Sequence, residues 1–191
     1  MRLAFIHGYD SRNAGEWPDI AFIRSLAEAF PDCRIDVLAR KGGMFRDSLA
    51  GIPNITVHEP SGIFPDKSGV IWRMLWLRKK IKSLEPDIVH IMHADGPVGN
   101  IRGNGPGLKV IVSVQNLCFL YSPAGFTWLQ RHWLSGSVRR SCRISDAIMV
   151  HDSRLAAELV KYYFIPKSKI EVVDSVASAM AVYESLSGRK D

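Results

Sequence analysis

The strongest constraint on this chain is a pair of apolar runs that show no polar alternation. Residues 86–121 read PDIVHIMHADGPVGNIRGNGPGLKVIVSVQNLCFLY. Within them, 87–92 and 109–114 are dominated by Val and Ile. That pattern marks strands covered on both faces of a parallel sheet, not the half-exposed strands of an antiparallel one. Each run ends in polar residues: His93 and Asp95 after the first, Gln115 and Asn116 after the second. The connection between them carries Gly99, Gly103, Gly105 and Pro106 and little apolar content. Ligands bind at the carboxyl ends of strands in an open parallel sheet, so these four polar residues are expected along one edge of a cleft.

Parallel strands require crossover connections, and the rest of the chain supplies them. Apolar runs at 3–7, 34–39, 55–58, 147–150 and 169–173 read as five more strands. Helical spacing covers 18–30, where Pro18 suits the first turn. Ile20, Ile23, Ala27 and Phe30 form its inner face, with Arg24 and Glu28 outside. A second helix is predicted over 68–84, with Ile71, Leu75, Leu77, Ile81 and Leu84 inward. Further helices are predicted over 128–144 and over 153–163, the latter with Ser153 as its N-cap. The segment 177–186 is weakly amphipathic, and its GRKD end is expected to fray. Strands alternating with helices predict an α/β fold: a doubly wound, mostly parallel, Rossmann-like sheet with helices on both faces.

Composition narrows the classes. A length of 191 residues suits one domain, and 47% hydrophobic with 23% charged residues is that of a soluble globular protein. No segment reaches the ~20 apolar residues needed to cross a bilayer, and MRLAFIHGYD is too short an apolar run for a signal peptide. The formal charge of +6 favours anionic partners without choosing among them. IWRMLWLRKKIK and FTWLQRHWLSGSVRR set Trp among Lys and Arg at helical spacing. Either these are surface helices whose aromatics pack on the sheet, or they dock on an anionic membrane surface. No nucleic-acid-binding motif accompanies the charge, so nucleic acid is not expected as a partner. Cys33, Cys118 and Cys142 have neither metal-ligand spacing nor a disulfide framework. They are expected as buried thiols in a reducing, cytoplasmic compartment. His7 ends the first strand and is open to a ligand or a structural role. His90 reads as a core residue, and at His151-Asp152 the simpler reading is Asp152 or Ser153 capping a helix. The histidines fall on different strands without metal-ligand spacing, so no metal site is predicted.

In this order the segments resemble the N-terminal domain of GT-B-fold, family-4-like glycosyltransferases. The resemblance covers residues 1–174 and rests on DIAFIRSLAEAF leading to CRIDVLAR, on PDIVHIMH, on VIVSVQNLCFL and on ISDAIMVHDSRLAAELVKYYFIPKSKIEVV, the last being the most specific. It implies one half of a GT-B fold over 1–174, with 175–191 a C-terminal tail or truncated interdomain segment. The implied function is the acceptor-binding half of an enzyme that moves a sugar from a nucleotide-sugar to a sugar or lipid-linked acceptor. A donor-binding domain or subunit would be supplied from outside these residues, and the isolated chain would be inactive. No metal and no cofactor beyond the nucleotide-sugar co-substrate are implied. The expected location is cytoplasmic, peripheral on the inner face of the membrane.

The resemblance also implies site residues. The family's glycine loop after the first strand matches Asn13-Ala14-Gly15-Glu16, retaining Gly15. The helix after it would offer its N-terminal N–H groups to a phosphate. Where the family often has His after the fifth strand, this chain has Gln115. Gln can hydrogen-bond a sugar hydroxyl but cannot exchange a proton near neutral pH. His93 and Glu16 are therefore the candidate catalytic residues, and Gly15, Asp95, Gln115 and Asn116 the candidate substrate-binding residues. The alternative is a catalytically inactive Rossmann-like binding or interaction module. A neighbouring reading frame encoding a Glu-x7-Glu domain would separate the two.

Overall fold

The computed structural model describes residues 1–7, 18–40, 44–60, 75–94, 101, 107–121 and 125–188. Seven strands form one sheet: β1 Arg2–His7, β2 Arg34–Ala39, β3 Ile55–His58, β4 Ile88–Ile91, β5 Lys109–Ser113, β6 Ala147–Val150 and β7 Ile170–Val172. Every neighbouring pair is parallel. The order is β3-β2-β1-β4-β5-β6-β7. From β1 the chain steps outward to β3, then returns past β1 to β4 and continues the other way. The direction of winding therefore reverses between β1 and β4, which is where a doubly wound sheet opens its crevice. This is the α/β fold that the apolar runs predict.

The helices are α1 Pro18–Ala29, α2 Met44–Ser48, α3 Leu77–Leu84, α4 Cys118–Tyr121, α5 Trp128–Ile144, α6 Ser153–Tyr163 and α7 Val176–Gly188. Successive strand residues point to opposite faces, and both faces are covered. On one, Ala4, Ile6, Val89, Val110, Val112 and Ile148 share a buried cluster with residues of α3, α5 and α6. On the other, Leu3, Phe5, Ile88, Ile111 and Met149 pack with Ile20, Ile23 and Leu26 of α1 and with Ala179, Met180 and Tyr183 of α7. Since neither face meets water, neither position of the alternation needs to be polar, and the runs in the sequence are continuous.

One charge breaks this pattern. Asp36 on β2 is fully buried, and accepts hydrogen bonds from Arg2 Nε at 2.8 Å and His58 Nε2 at 2.7 Å. Burial acts to raise its pKa, but the His58 and Arg2 hydrogen bonds and charges outweigh that and hold it below the usual carboxylate value.

Several sequence expectations are refined or corrected. Residues 176–188, within the stretch read as a C-terminal tail or truncated interdomain segment, form helix α7, with Ala179, Met180, Tyr183 and Leu186 buried. Its sequence VASAMAVYESLSG is apolar on more than one side, which weakens the amphipathic signal without weakening the packing. Helix α6 is capped by Asp152, one of the two expected caps, through a 2.6 Å bond from Leu155 N–H to its carboxylate. Cys33 and Cys142 are buried as expected, but Cys118 is exposed because it opens the short α4 at the sheet edge. In the predicted helix 68–84, Leu77, Ile81 and Leu84 face inward while Leu75 is exposed; residues 68–74 lie outside the described residues.

Candidate functional site

Three titratable side chains meet at the reversal point of the sheet. His7 is the last residue of β1, and His93 lies two residues past β4, the strand paired with β1. Asp19 occupies the first turn of α1, where the positive end of the helix dipole favours a carboxylate. Asp19 Oδ2 lies 2.7 Å from His93 Nε2 and 3.3 Å from His7 Nε2. The two imidazole centroids are 5.3 Å apart and nearly perpendicular. Asp19 and His7 are buried, whereas 17% of the His93 side chain remains exposed. The trio therefore presents one ring to the solvent side and holds the other two groups behind it. Burial lowers the His7 pKa to about 4, against the opposing pull of the Asp19 charge, so His7 is neutral near pH 7.

The backbone after His93 is tied down from the opposite layer. Ala94 O accepts hydrogen bonds from Ser141 Oγ at 2.9 Å and Ser137 Oγ at 3.3 Å, both on α5. A histidine anchored in this way keeps its ring orientation as a ligand arrives. One atom from each of His7, Asp19 and His93 lies within 4.8 Å of the others. Two imidazoles and a carboxylate are also a donor set that a zinc-like cation accepts. The Asp19 carboxylate faces both rings, in hydrogen-bond contact with His93 Nε2 and in an ion-pair contact with His7 Nε2.

Beside the trio a cleft of about 330 Å³ runs across the carboxyl ends of β4 to β7. Its polar lining includes Asp19, Ser113, Gln115, His151 and Asp174. Its apolar lining includes Phe22, Met92, Met149, Val173 and Val176. A cleft with apolar walls and a few convergent polar groups is the usual form of a small-molecule site. A smaller hollow of about 220 Å³ lies on the far side of Gln115, where His93, Asn116, Phe119 and Phe126 face one another. Gln115 lines both hollows, and its Nε2 donates to Met92 O at 3.4 Å. Asn116 Oδ1 accepts from Cys118 N–H at 3.2 Å, which turns the chain into α4.

Among the predicted site residues, His93, Gln115 and Asn116 come together at this edge. Gly15, Glu16 and Asp95 lie outside the described residues. Strands β1, β4 and β5 are adjacent in the sheet. Sequence reasoning missed Asp19, which it had read only as part of a helix start. It is 74 residues from His93, and the pairing becomes visible only once β1 is placed beside β4. His90 is buried as expected, its pKa lowered by burial to about 3. It also reaches the cleft wall, through a 2.7 Å contact to Ser113 Oγ.

The aromatic residues of the basic segments divide. Trp76 packs partly against the core. Trp128, Leu129 and Trp133 at the start of α5 are exposed, at 75%, 69% and 55%. Of the two readings, packing on the sheet fails for Trp128 and Trp133, while Phe126 and Leu134 pack partly against the core beside buried Val138 and Cys142. Among the described residues, no helix is long and apolar enough to cross a membrane.

Comparison with known proteins places this geometry. Residues 20–175 match the model of the family described as Glycosyltransferase Family 4. No curated protein matches the chain. Among solved structures, the UDP-GlcNAc 2-epimerase of Neisseria meningitidis is similar over 99% of this chain and 50% of its own, with a TM-score of 0.63 at 15% identity. A lipopolysaccharide outer core galactosyltransferase is similar over 90% of this chain and 45% of its own, with a TM-score of 0.58 at 15% identity. A glycosyltransferase from Rickettsia africae is similar over 91% and 42%, with a TM-score of 0.55 at 13% identity. The chain thus spans about half the length of the solved structures it matches.

Proposed function

The chain belongs to glycosyltransferase family 4, and from that premise we propose that it is the acceptor-binding half of a sugar-transferring enzyme. The sugar comes from a nucleotide-sugar held by a donor-binding domain or subunit outside these residues. The acceptor is a sugar or a lipid-linked sugar lying in the cleft at the ends of β4 to β7. The observation that carries the reading is the 2.7 Å pair of Asp19, which lines that cleft, and His93, which lines the smaller hollow across Gln115.

With Nε2–H donating to Asp19, Nδ1 is the basic nitrogen of His93. It takes the proton of the acceptor hydroxyl as the hydroxyl oxygen bonds to the anomeric carbon and the nucleotide diphosphate leaves. Asp19 stabilises the imidazolium that forms, as a carboxylate does behind a general base. Glu16 remains the second candidate for the proton. Gln115 and Asn116 orient acceptor hydroxyls, together with Gly15 and Asp95. Neutral His7 adds no charge to the trio and supports Asp19 from the protein side. No step is assigned to a metal ion.

The test is to assemble the chain with its donor-binding half and replace His93 by Gln, Asp19 by Asn and Glu16 by Ala. Loss of a general base costs about 10²- to 10⁴-fold in turnover. His93→Gln or Glu16→Ala is expected to show that loss, and Asp19→Asn a smaller one, with folding unchanged by circular dichroism. Full activity in all three variants would sink the reading and favour a non-catalytic binding module.

A further inference from the structure

Three side chains on the face under α7 form a hydrogen-bonded line that ends in the cleft. Tyr183 Oη of α7 is 2.7 Å from His90 Nδ1, and His90 Nε2 is 2.7 Å from Ser113 Oγ. Tyr183 and His90 are buried, while Ser113 stands at the end of β5 and lines the cleft. The direction of this line follows from hydrogen-bond bookkeeping. A neutral imidazole has one donor and one acceptor nitrogen, and burial keeps His90 neutral by lowering its pKa to about 3. The Tyr183 hydroxyl is likewise kept protonated by burial. Its hydrogen bond to His90 is the one it makes among the described residues. Were His90 Nδ1 the donor, the Tyr183 hydroxyl hydrogen would be buried without an acceptor among the described residues, which is costly. Tyr183 therefore donates to Nδ1, and Nε2–H donates to Ser113 Oγ.

We propose that this line fixes Ser113 as an outward hydrogen-bond donor, whose hydroxyl proton binds a hydroxyl oxygen of a neutral carbohydrate in the cleft. Ser113 Oγ accepts from His90, so its own proton is left available to a group in the cleft that Ser113 lines. The ligand class follows from the remaining walls. Asp19 and Asp174 line the same cleft and disfavour an anion there. They accept hydrogen bonds, as a hydroxyl that receives one from Ser113 can also donate one onward. Phe22, Met92, Met149 and Val176 supply apolar surface for the C–H face of a sugar ring. Ser113 is then a specificity residue, and His90 and Tyr183 are positioning residues behind it. The orientation of the line rests on its hydrogen-bond geometry together with the neutrality of the buried His90 and Tyr183; the carbohydrate ligand rests on the glycosyl-transfer reading.

Nuclear magnetic resonance of the full chain with ¹⁵N-labelled histidine reads the tautomer directly. The expected result is His90 protonated at Nε2 and bare at Nδ1, with Tyr183→Phe shifting it to a mixture while the fold is kept. A wild-type ring protonated at Nδ1 would overturn the proposal, because the Ser113 proton would then be held by His90. In a second arm, a panel of neutral monosaccharides is titrated while the Met92 and Met149 methyl signals are followed. Saturable shifts are expected in the wild type, with binding about three- to tenfold weaker in Ser113→Ala and restored in Ser113→Thr. Equal binding by Ser113→Ala, shifts with inorganic phosphate but no sugar, or no shift at all would overturn the ligand assignment. Failure of transfer in the assembled enzyme with the tautomer and sugar shifts intact would count against the catalytic reading alone.

Discussion

His90 and His7 have pKa values lowered by burial to about 3 and about 4, against about 6.5 in an unfolded chain. Between these limits the unfolded chain binds protons that the folded one refuses, so acid favours unfolding. The stability that each neutral ring contributes is complete above pH 6.5 and falls as the pH is lowered towards the folded-state values. At pH 5 each ring is expected to cost about 2 kcal/mol relative to pH 7, at about 1.4 kcal/mol per pKa unit. Urea unfolding at both pH values tests this. His90→Gln should be less stable than wild type at pH 7, with the gap narrowing at pH 5. A constant gap would mean that His90 does not titrate on unfolding. At this scale the sequence was only partly legible. His93, Gln115 and Asn116 were found because they follow apolar runs, and a strand end is a local signal. Asp19 and Ser113 were not found, because each acquires its role from a partner far away in the chain.

Helix α5 divides its surface by position along its length. Its N-terminal capping box at Thr127 and Gln130 holds the first turn, and Trp128, Leu129 and Trp133 project outward there while Val138 and Cys142 dock on the sheet. Exposed Arg139, Arg140 and Arg143 follow on the same helix. If this helix meets an anionic membrane, Trp128→Ala with Trp133→Ala should lower liposome co-sedimentation several-fold, and binding should fall as salt is raised. Equal binding to neutral vesicles would point away from a membrane role. Helix α6 carries a different signal. It ends at Phe164, which has a left-handed backbone (φ 55°) and is 82% exposed. A non-glycine residue there costs about 1–2 kcal/mol, and little burial offsets it. Phe164→Gly should raise stability by about 1 kcal/mol, or about 2–4 °C in melting temperature. A drop would show that the ring is seated on a surface. Neither feature was visible in the pattern of residues, since a Trp at helical spacing reads the same whether it faces in or out.

For the whole molecule, the proposed division of labour predicts that the chain alone transfers no sugar. Incubation with UDP- and GDP-sugars and candidate acceptors should give no product, and robust transfer would show that no second half is needed. The doubly wound sheet was legible because continuous apolar runs admit few arrangements other than a sheet buried on both faces. The place of α7 was not, because a helix that is apolar on several sides looks like a tail until the surface it covers is known. That helix has a consequence for biosynthesis. The hydrogen bond from Tyr183 to His90 joins residues 93 apart, and the strand bearing His90 lies next to the first strand of the sheet. A nascent chain can pair β1 to β6 while still attached to the ribosome. It cannot complete the cover of the α1 side, which α7 shares with α1, until residue 183 has left the exit tunnel. Translation arrest or proteolytic trimming before that point would leave Phe5, His90 and Met149 on an incompletely covered surface, which chaperones and proteases recognise.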